Sequence, residues 1–179
     1  MRLAGWIILL AFLLTSCRLP YVPGVTKPEP SAGVTLRDAE GRIVGGGVLL
    51  EESDGVRVLI DLKGFKPGVK AIHIHAVGRC DPPSFESAGP HFNPKNAQHG
   101  LVNPKGPHAG DLPNITVEAN GQGHLEYTNS RVSVESGPGY LLGSNGTSMV
   151  VHEGPDDLLT DPAGNSGARV ACGVITRAG

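Results

Sequence analysis

The chain has 179 residues, and its 15 Lys and Arg against 17 Asp and Glu give a net charge of -2. That balance excludes a general nucleic-acid binder, which needs a basic surface. The 26 glycines and 15 prolines exclude a long helical bundle or coiled coil, and glycine has no period of three, which excludes collagen.

Residues 1–17 read MRLAGWIILLAFLLTSC. Arg2 is followed by an apolar run of 11 residues, Ala4 to Leu14. A bilayer span needs about 20, so the run suits the core of a signal peptide. It ends in Leu14-Thr15-Ser16-Cys17, which resembles the bacterial lipoprotein cleavage box. An ordinary signal peptide with a chance cysteine is the alternative. Residues 18–31 hold four prolines and read as a stiff, extended tether. The expected organisation is a signal peptide over 1–16, a lipidated Cys17 with a Pro-rich tether over 17–31, and one domain over 32–179. This predicts an exported, membrane-anchored lipoprotein of the cell envelope, in the periplasm or at the cell surface, held by a lipid anchor.

From Ala32 the pattern turns to period two and short β-branched runs. Strands are expected at Val34–Arg37, Ile43–Leu50, Val56–Leu62, Val69–Val77, Asn114–Ala119, His124–Thr128, Ser148–His152 and Arg169–Thr176. Hairpin signals lie between the second and third (Glu51-Glu52-Ser53-Asp54-Gly55, with its Asp-Gly) and between the fifth and sixth (Asn120-Gly121-Gln122-Gly123). Arg131–Val134 and Leu141-Leu142 are ambiguous. Eight strands without intervening helices predict an all-β, eight-stranded antiparallel barrel or sandwich.

Between Gly78 and Pro113 no strand is expected. A loop that long is uncommon unless it carries function, and this one holds His91, His99, His108, Asp111 and Cys80. With Cys17 lipidated, Cys80 and Cys172 remain. Export would let them form a disulfide, with two buried free thiols as the alternative. Such a bridge would add about 3–5 kcal/mol in the chain-entropy account.

His73 and His75 sit at i and i+2 on a strand, so both point to one face. An isolated pair of that kind is more often a sheet face that happens to carry two histidines. His91, His99, His108 and Asp111 change the balance, because three histidines and a carboxylate suit tetrahedral zinc. His152, on a later strand, would complete a nitrogen-rich site with His73 and His75, and such a site favours copper.

Longer motifs go further. His73-Ile74-His75, Cys80, Ala88-Gly89-Pro90-His91-Phe92-Asn93-Pro94, His99-Gly100 and His108-Ala109-Gly110-Asp111-Leu112 come in order. Val150-Val151-His152-Glu153-Gly154-Pro155-Asp156-Asp157, Gly164-Asn165 and Arg169-Val170-Ala171-Cys172-Gly173-Val174-Ile175 follow. Together, over roughly residues 33–177, they resemble copper/zinc superoxide dismutase. The resemblance implies a Greek-key barrel with a long metal-binding loop, and dismutation of superoxide to oxygen and hydrogen peroxide by a redox-cycling copper bridged to a structural zinc.

Residue by residue, the resemblance assigns copper to His73, His75, His91 and His152, and zinc to His91, His99, His108 and Asp111. His91 would serve both metals as a bridging imidazolate and is catalytic on this reading. Asp156 would join a copper histidine to a zinc histidine, namely His73 to His99, although taken alone it reads as a turn residue. Arg169 would draw in superoxide, although taken alone it reads as a surface arginine at a strand end. His124 has no ligand counterpart. The segment from Asp157 to Arg169 is short and lacks the Glu and Lys cluster of the eukaryotic branch, so steering falls to Arg169 and to charges such as Lys95 or Lys105. A homodimer is one assembly the family implies, with no surface for it marked in the sequence. The competing function is a non-catalytic copper/zinc-binding envelope protein, whose signature would be a lost copper ligand or a lost arginine.

Overall fold

The computed structural model describes residues 31–178. The expected signal peptide, Cys17 and all of the expected tether except Ser31 lie outside the described residues. Among the described residues there are nine strands: β1 (Ser31–Asp38), β2 (Ile43–Glu52), β3 (Gly55–Leu62), β4 (Gly68–Lys70), β5 (Ile72–His75), β6 (Ile115–Val117), β7 (Gly123–Asn129), β8 (Thr147–His152) and β9 (Arg169–Arg177). They form one sheet in the order β4-β6-β7-β3-β2-β1-β9-β8-β5, and every neighbouring pair is antiparallel. Among the described residues the only helix is a single 3-10 turn at Glu86–Ala88, and no helix is long and apolar enough to cross a membrane.

The expected single strand Val69–Val77 is two strands. β4 and β5 are separated by Ala71 alone, yet they lie at opposite edges of the sheet. Ala71 bonds to the end of β8 and the residues just after it. Its N–H donates to Gly154 O at 2.8 Å, and its carbonyl accepts from His152 N at 2.9 Å. The seam of a nearly closed barrel therefore falls where the alternation slips by one residue, between Ala71 and Ile72, which raises the strand count from eight to nine among the described residues.

Alternation explains the interior. Ala32, Val34 and Leu36 of β1 and Val56, Val58, Ile60 and Leu62 of β3 point inward and are buried. Each such Val, Leu or Ile side chain contributes roughly 1.5–3 kcal/mol by leaving water. The β2–β3 hairpin turns at Ser53-Asp54, with Glu52 paired to Gly55.

β5 and β8 break the pattern in the way that builds the site. All four residues of β5 and all six of β8 are buried. Ile72, Ile74, Met149 and Val151 enter the main core. The alternate residues, His73, His75, Val150 and His152, face out of the barrel and are covered by the long loop. A second small cluster of Phe85, Ala88, Val150 and Cys172 seals that layer. Cys80 and Cys172 form a disulfide with Cα atoms 5.6 Å apart, which fixes the start of the loop to β9.

The two ambiguous segments both belong to the β7–β8 connection. Val132, Val134 and Leu141 are buried there, and the Glu51 carboxylate accepts from Val134 N at 2.6 Å and Ser133 Oγ at 3.1 Å.

Candidate metal centre

Two strands and one loop bring seven side chains together. His73 and His75 come from β5 and His152 from β8, while His91, His99, His108 and Asp111 come from the loop. Bridges pin the loop onto β5, with His75 opposite His91 and His73 opposite Asp111. Around them, Ile74 N donates to Gly110 O at 2.9 Å and Phe92 N to Ile74 O at 2.8 Å. All seven are at most 6% exposed.

The first set is His73, His75, His91 and His152, each with one ring nitrogen within 4.8 Å of the others. The atoms that converge are His73 Nδ1, His75 Nε2, His91 Nε2 and His152 Nε2. These four are buried and have no hydrogen-bond partner. A buried polar atom without a partner is costly, and four in one place fit a metal ion. The other nitrogen of each ring is engaged. His73 Nε2 lies 2.8 Å from Asp156 Oδ2, His75 Nδ1 2.8 Å from Gly89 O and His152 Nδ1 3.2 Å from Gly167 O. His91 Nδ1 turns to the second set. An all-nitrogen donor set of this kind suits copper.

The second set is His91, His99, His108 and Asp111. Asp111 Oδ1 lies 3.0 Å from His91 Nδ1, 3.0 Å from His99 Nδ1 and 3.4 Å from His108 Nδ1. His91 Nδ1 and His108 Nδ1 are 3.5 Å apart. A tetrahedral zinc with Zn–N near 2.0–2.1 Å spaces its ligands about 3.3–3.4 Å apart, so these donors fit zinc with little change. The other oxygen of Asp111 is tied down by Gly100 N at 2.8 Å and His108 N at 2.9 Å. His91 thus presents one ring nitrogen to each set.

Asp156 joins the two sets, since Oδ2 meets His73 Nε2 and Oδ1 meets His99 Nε2 at 3.0 Å. The Asn114 side chain clamps its backbone, accepting from Asp156 N and donating to Asp156 O, both at 2.8 Å. Gly164 lies against this carboxylate at φ +61°, and a Cβ there would overlap Asp156 Oδ1.

The electrostatics suit metal binding. Burial lowers His73 to about 3, His75 to about 2 and His152 to about 4, and it lowers His91 as well. These rings are neutral at pH 7 and offer lone pairs. His99 goes the other way. Burial opposes its charged form, but Asp111 and Asp156 outweigh burial and raise it to about 9. Burial likewise works against ionisation of Asp111 and Asp156, and their histidine partners overcome it and hold both carboxyls below the ordinary range.

Arg169 begins β9 and is half-buried. It donates from Nη1 to Phe85 O and from Nη2 to Gly89 O, both at 2.8 Å. It lines a cavity of about 400 Å³ together with His75, His91 and His152. Asp161, Asn165 and Ser166 also line that cavity, whereas Lys95 and Lys105 do not. His124 stays apart on β7, exposed and 2.8 Å from Asp61.

Three supporting groups escape a reading of the sequence. Asp161 Oδ1 accepts from His99 N at 2.6 Å. Arg131 Nη2 donates to the Asp111 carbonyl at 3.1 Å. Ser166 Oγ lies 3.1 Å from His152 Nδ1. Asp161, beside a proline near the ligands, carried a weak signal, and the other two carried none.

Comparison with known proteins points to one family. A family model described as "Copper/zinc superoxide dismutase (SODC)" matches residues 44–175. A relative from Aquifex aeolicus, "Superoxide dismutase (Cu-Zn) 2", is 45% identical over 146 residues, spanning 80% of this chain and 85% of that one. The crystal structure of a double mutant of a SOD-like protein from Bacillus subtilis aligns with TM-score 0.77 and 43% identity, covering 79% of this chain and 95% of the other. Cu/Zn superoxide dismutase from Brucella abortus aligns with TM-score 0.67 and 28% identity over 80% of this chain and 98% of the other.

Proposed function

This chain belongs to the copper/zinc superoxide dismutase family, and we propose that it dismutates superoxide at a copper held by His73, His75, His91 and His152 and bridged through the His91 ring to a zinc held with His99, His108 and Asp111. The observation that carries this reading is the set of four buried, unpartnered ring nitrogens on one side of His91, with the carboxylate-centred set on the other.

Copper bound at these nitrogens supplies a one-electron couple, and zinc, with one accessible oxidation state, supplies a fixed charge. The chain does the rest. Arg169 keeps its charge at any working pH and faces the cavity, where it attracts a small anion. Its two carbonyl partners hold the guanidinium in one pose. Two superoxide ions and two protons become one oxygen and one hydrogen peroxide, so a proton must be handed over within the cavity. His91 Nε2 is the atom for that task, because Nδ1 of the same ring is committed to the other set and keeps the ring in place. Asp156 fixes the orientation of His73 and His99 by accepting from both.

A chain kept only as a metal store would tolerate loss of a copper ligand or of Arg169, and all five residues are present. Copper titrated into zinc-loaded protein separates the readings. Stoichiometric uptake with fast superoxide loss supports the enzyme, and uptake without turnover supports the store.

The reading extends to the cell envelope through Cys17. Ser31, where the tether joins, pairs with Leu50 and accepts from Ala178 N at 3.0 Å. That is the far end of β9 from Arg169, about 27 Å along the strand. A tether leaving there suits a domain whose cavity faces away from the lipid surface. Intact mass of the membrane fraction tests the anchor, and an unmodified Cys17 would remove it.

A further inference from the structure

Ser166 is only 2% exposed, although Gly164-Asn165-Ser166-Gly167 looks like a surface turn. Its Oγ lies 3.1 Å from His152 Nδ1 and 2.9 Å from Ala163 O. Gly167 O lies 3.2 Å from the same Nδ1. Two carbonyls settle the protons. A carbonyl only accepts, so His152 carries its hydrogen on Nδ1, and the Ser166 hydroxyl donates to Ala163. A lone pair of Ser166 Oγ is then free to accept from His152 Nδ1, which shares its hydrogen between Oγ and Gly167 O. The same tautomer leaves His152 Nε2 without a proton, buried and unpartnered, facing the nitrogens of His73, His75 and His91.

We propose that Ser166 is a positioning residue for the copper site. It holds the His152 ring by Nδ1 so that the Nε2 lone pair is aimed at the metal. Gly167 O alone would leave the ring free to swing about one hydrogen bond. The hydroxyl adds a second acceptor, anchored through Ala163 to a different point of the 160–167 loop, and two acceptors fix the ring plane. The inference deepens the copper reading above and rests on it. Losing the outer partner of a metal-binding histidine typically weakens metal affinity about 10–100-fold. Because Gly167 O remains, the lower end applies here.

The test uses the chain loaded with zinc and then copper, as parent, Ser166→Ala and Ser166→Thr. Copper affinity is measured by chelator competition, the copper(II) environment by electron paramagnetic resonance, and zinc content by elemental analysis. Ser166→Ala is expected to bind copper about tenfold more weakly, with an altered spectrum and unchanged zinc. Ser166→Thr, which keeps the hydroxyl, is expected to restore both copper readouts. Parent-like affinity and spectrum in Ser166→Ala overturn the proposal, as does a Ser166→Thr that behaves like Ser166→Ala, since packing would then be the cause. A second measurement needs no variant. Nitrogen-15 spectra of the copper(I) form should show His152 protonated at Nδ1, and an unprotonated Nδ1 overturns the proposal. A parent whose copper spectrum is indifferent to His152→Ala would instead overturn the copper assignment itself.

Discussion

His75 and Arg169 share one acceptor. Gly89 O lies 2.8 Å from His75 Nδ1 and 2.8 Å from Arg169 Nη2. The carbonyl that orients a metal-facing ring therefore also orients the cation at the cavity wall, and both hang from the loop that Cys80 ties to β9.

Removing the cation without the carbonyl should separate capture from metal binding. Arg169→Gln is expected to keep copper and zinc while lowering the superoxide rate constant about tenfold or more and flattening its dependence on salt, since a charge that steers an anion is screened by salt. Rates measured by pulse radiolysis across an ionic-strength series check this. A variant with the parent rate and the parent salt slope would show that Arg169 does not steer.

Gly164 is the glycine whose absent side chain matters most to the site. At φ +61° with Asp156 Oδ1 where a Cβ would sit, alanine is both strained and overlapping. Gly164→Ala is expected to destabilise the protein by more than about 1 kcal/mol and to weaken both metals by pushing Asp156 off His73 and His99. Denaturant midpoints with chelator competition measure the two effects. Normal metal affinity in that variant would mean that Asp156 is not the link between the sites.

The metal-free protein should have a stability window set by its histidines. His73, His75 and His152 are lowered to about 3, 2 and 4 by burial, against about 6.5 in an unfolded chain. Between about pH 4 and 6.5 the unfolded chain binds more protons through these three rings, so they make stability fall as pH drops through that range. His99, raised to about 9 by its carboxylates against burial, contributes fully below its unfolded value and loses that contribution as pH rises through about 9. Urea midpoints of chelated protein should therefore be highest near pH 6.5 and fall on both sides, toward pH 4 and toward pH 9. A midpoint that climbs as pH falls from 6.5 to 4 would contradict this.

Most of the site was legible in the sequence because its ligands sit in long motifs with little freedom. His73 and His75 at i and i+2 need only an extended backbone to share a face, and the loop ligands travel as His91, His99, His108 and Asp111 in one segment. The seam at Ala71 was missed in the expected strand Val69–Val77, although the alternation slips there: Val69 and Ala71 are apolar at odd positions, Ile72 and Ile74 at even ones, so one strand could not keep them on one face. Ser166 was hidden for a different reason. A short polar residue between glycines looks exposed, and its burial follows from how the 160–167 loop folds back over His152. Lys95 and Lys105, read as steering charges, do not line the cavity, whose wall includes Arg169, Asp161 and Asn165.

The most direct measurement is superoxide disappearance with protein beginning after Cys17, loaded with copper and zinc, beside His152→Ala loaded identically. The parent is expected to remove superoxide fast. The variant, short of one of the four converging ring nitrogens proposed to hold copper, is expected to keep zinc and lose most of the rate. Absence of turnover in a parent shown to hold both metals, or equal rates in the two proteins, would contradict the assignment of the copper site and its activity.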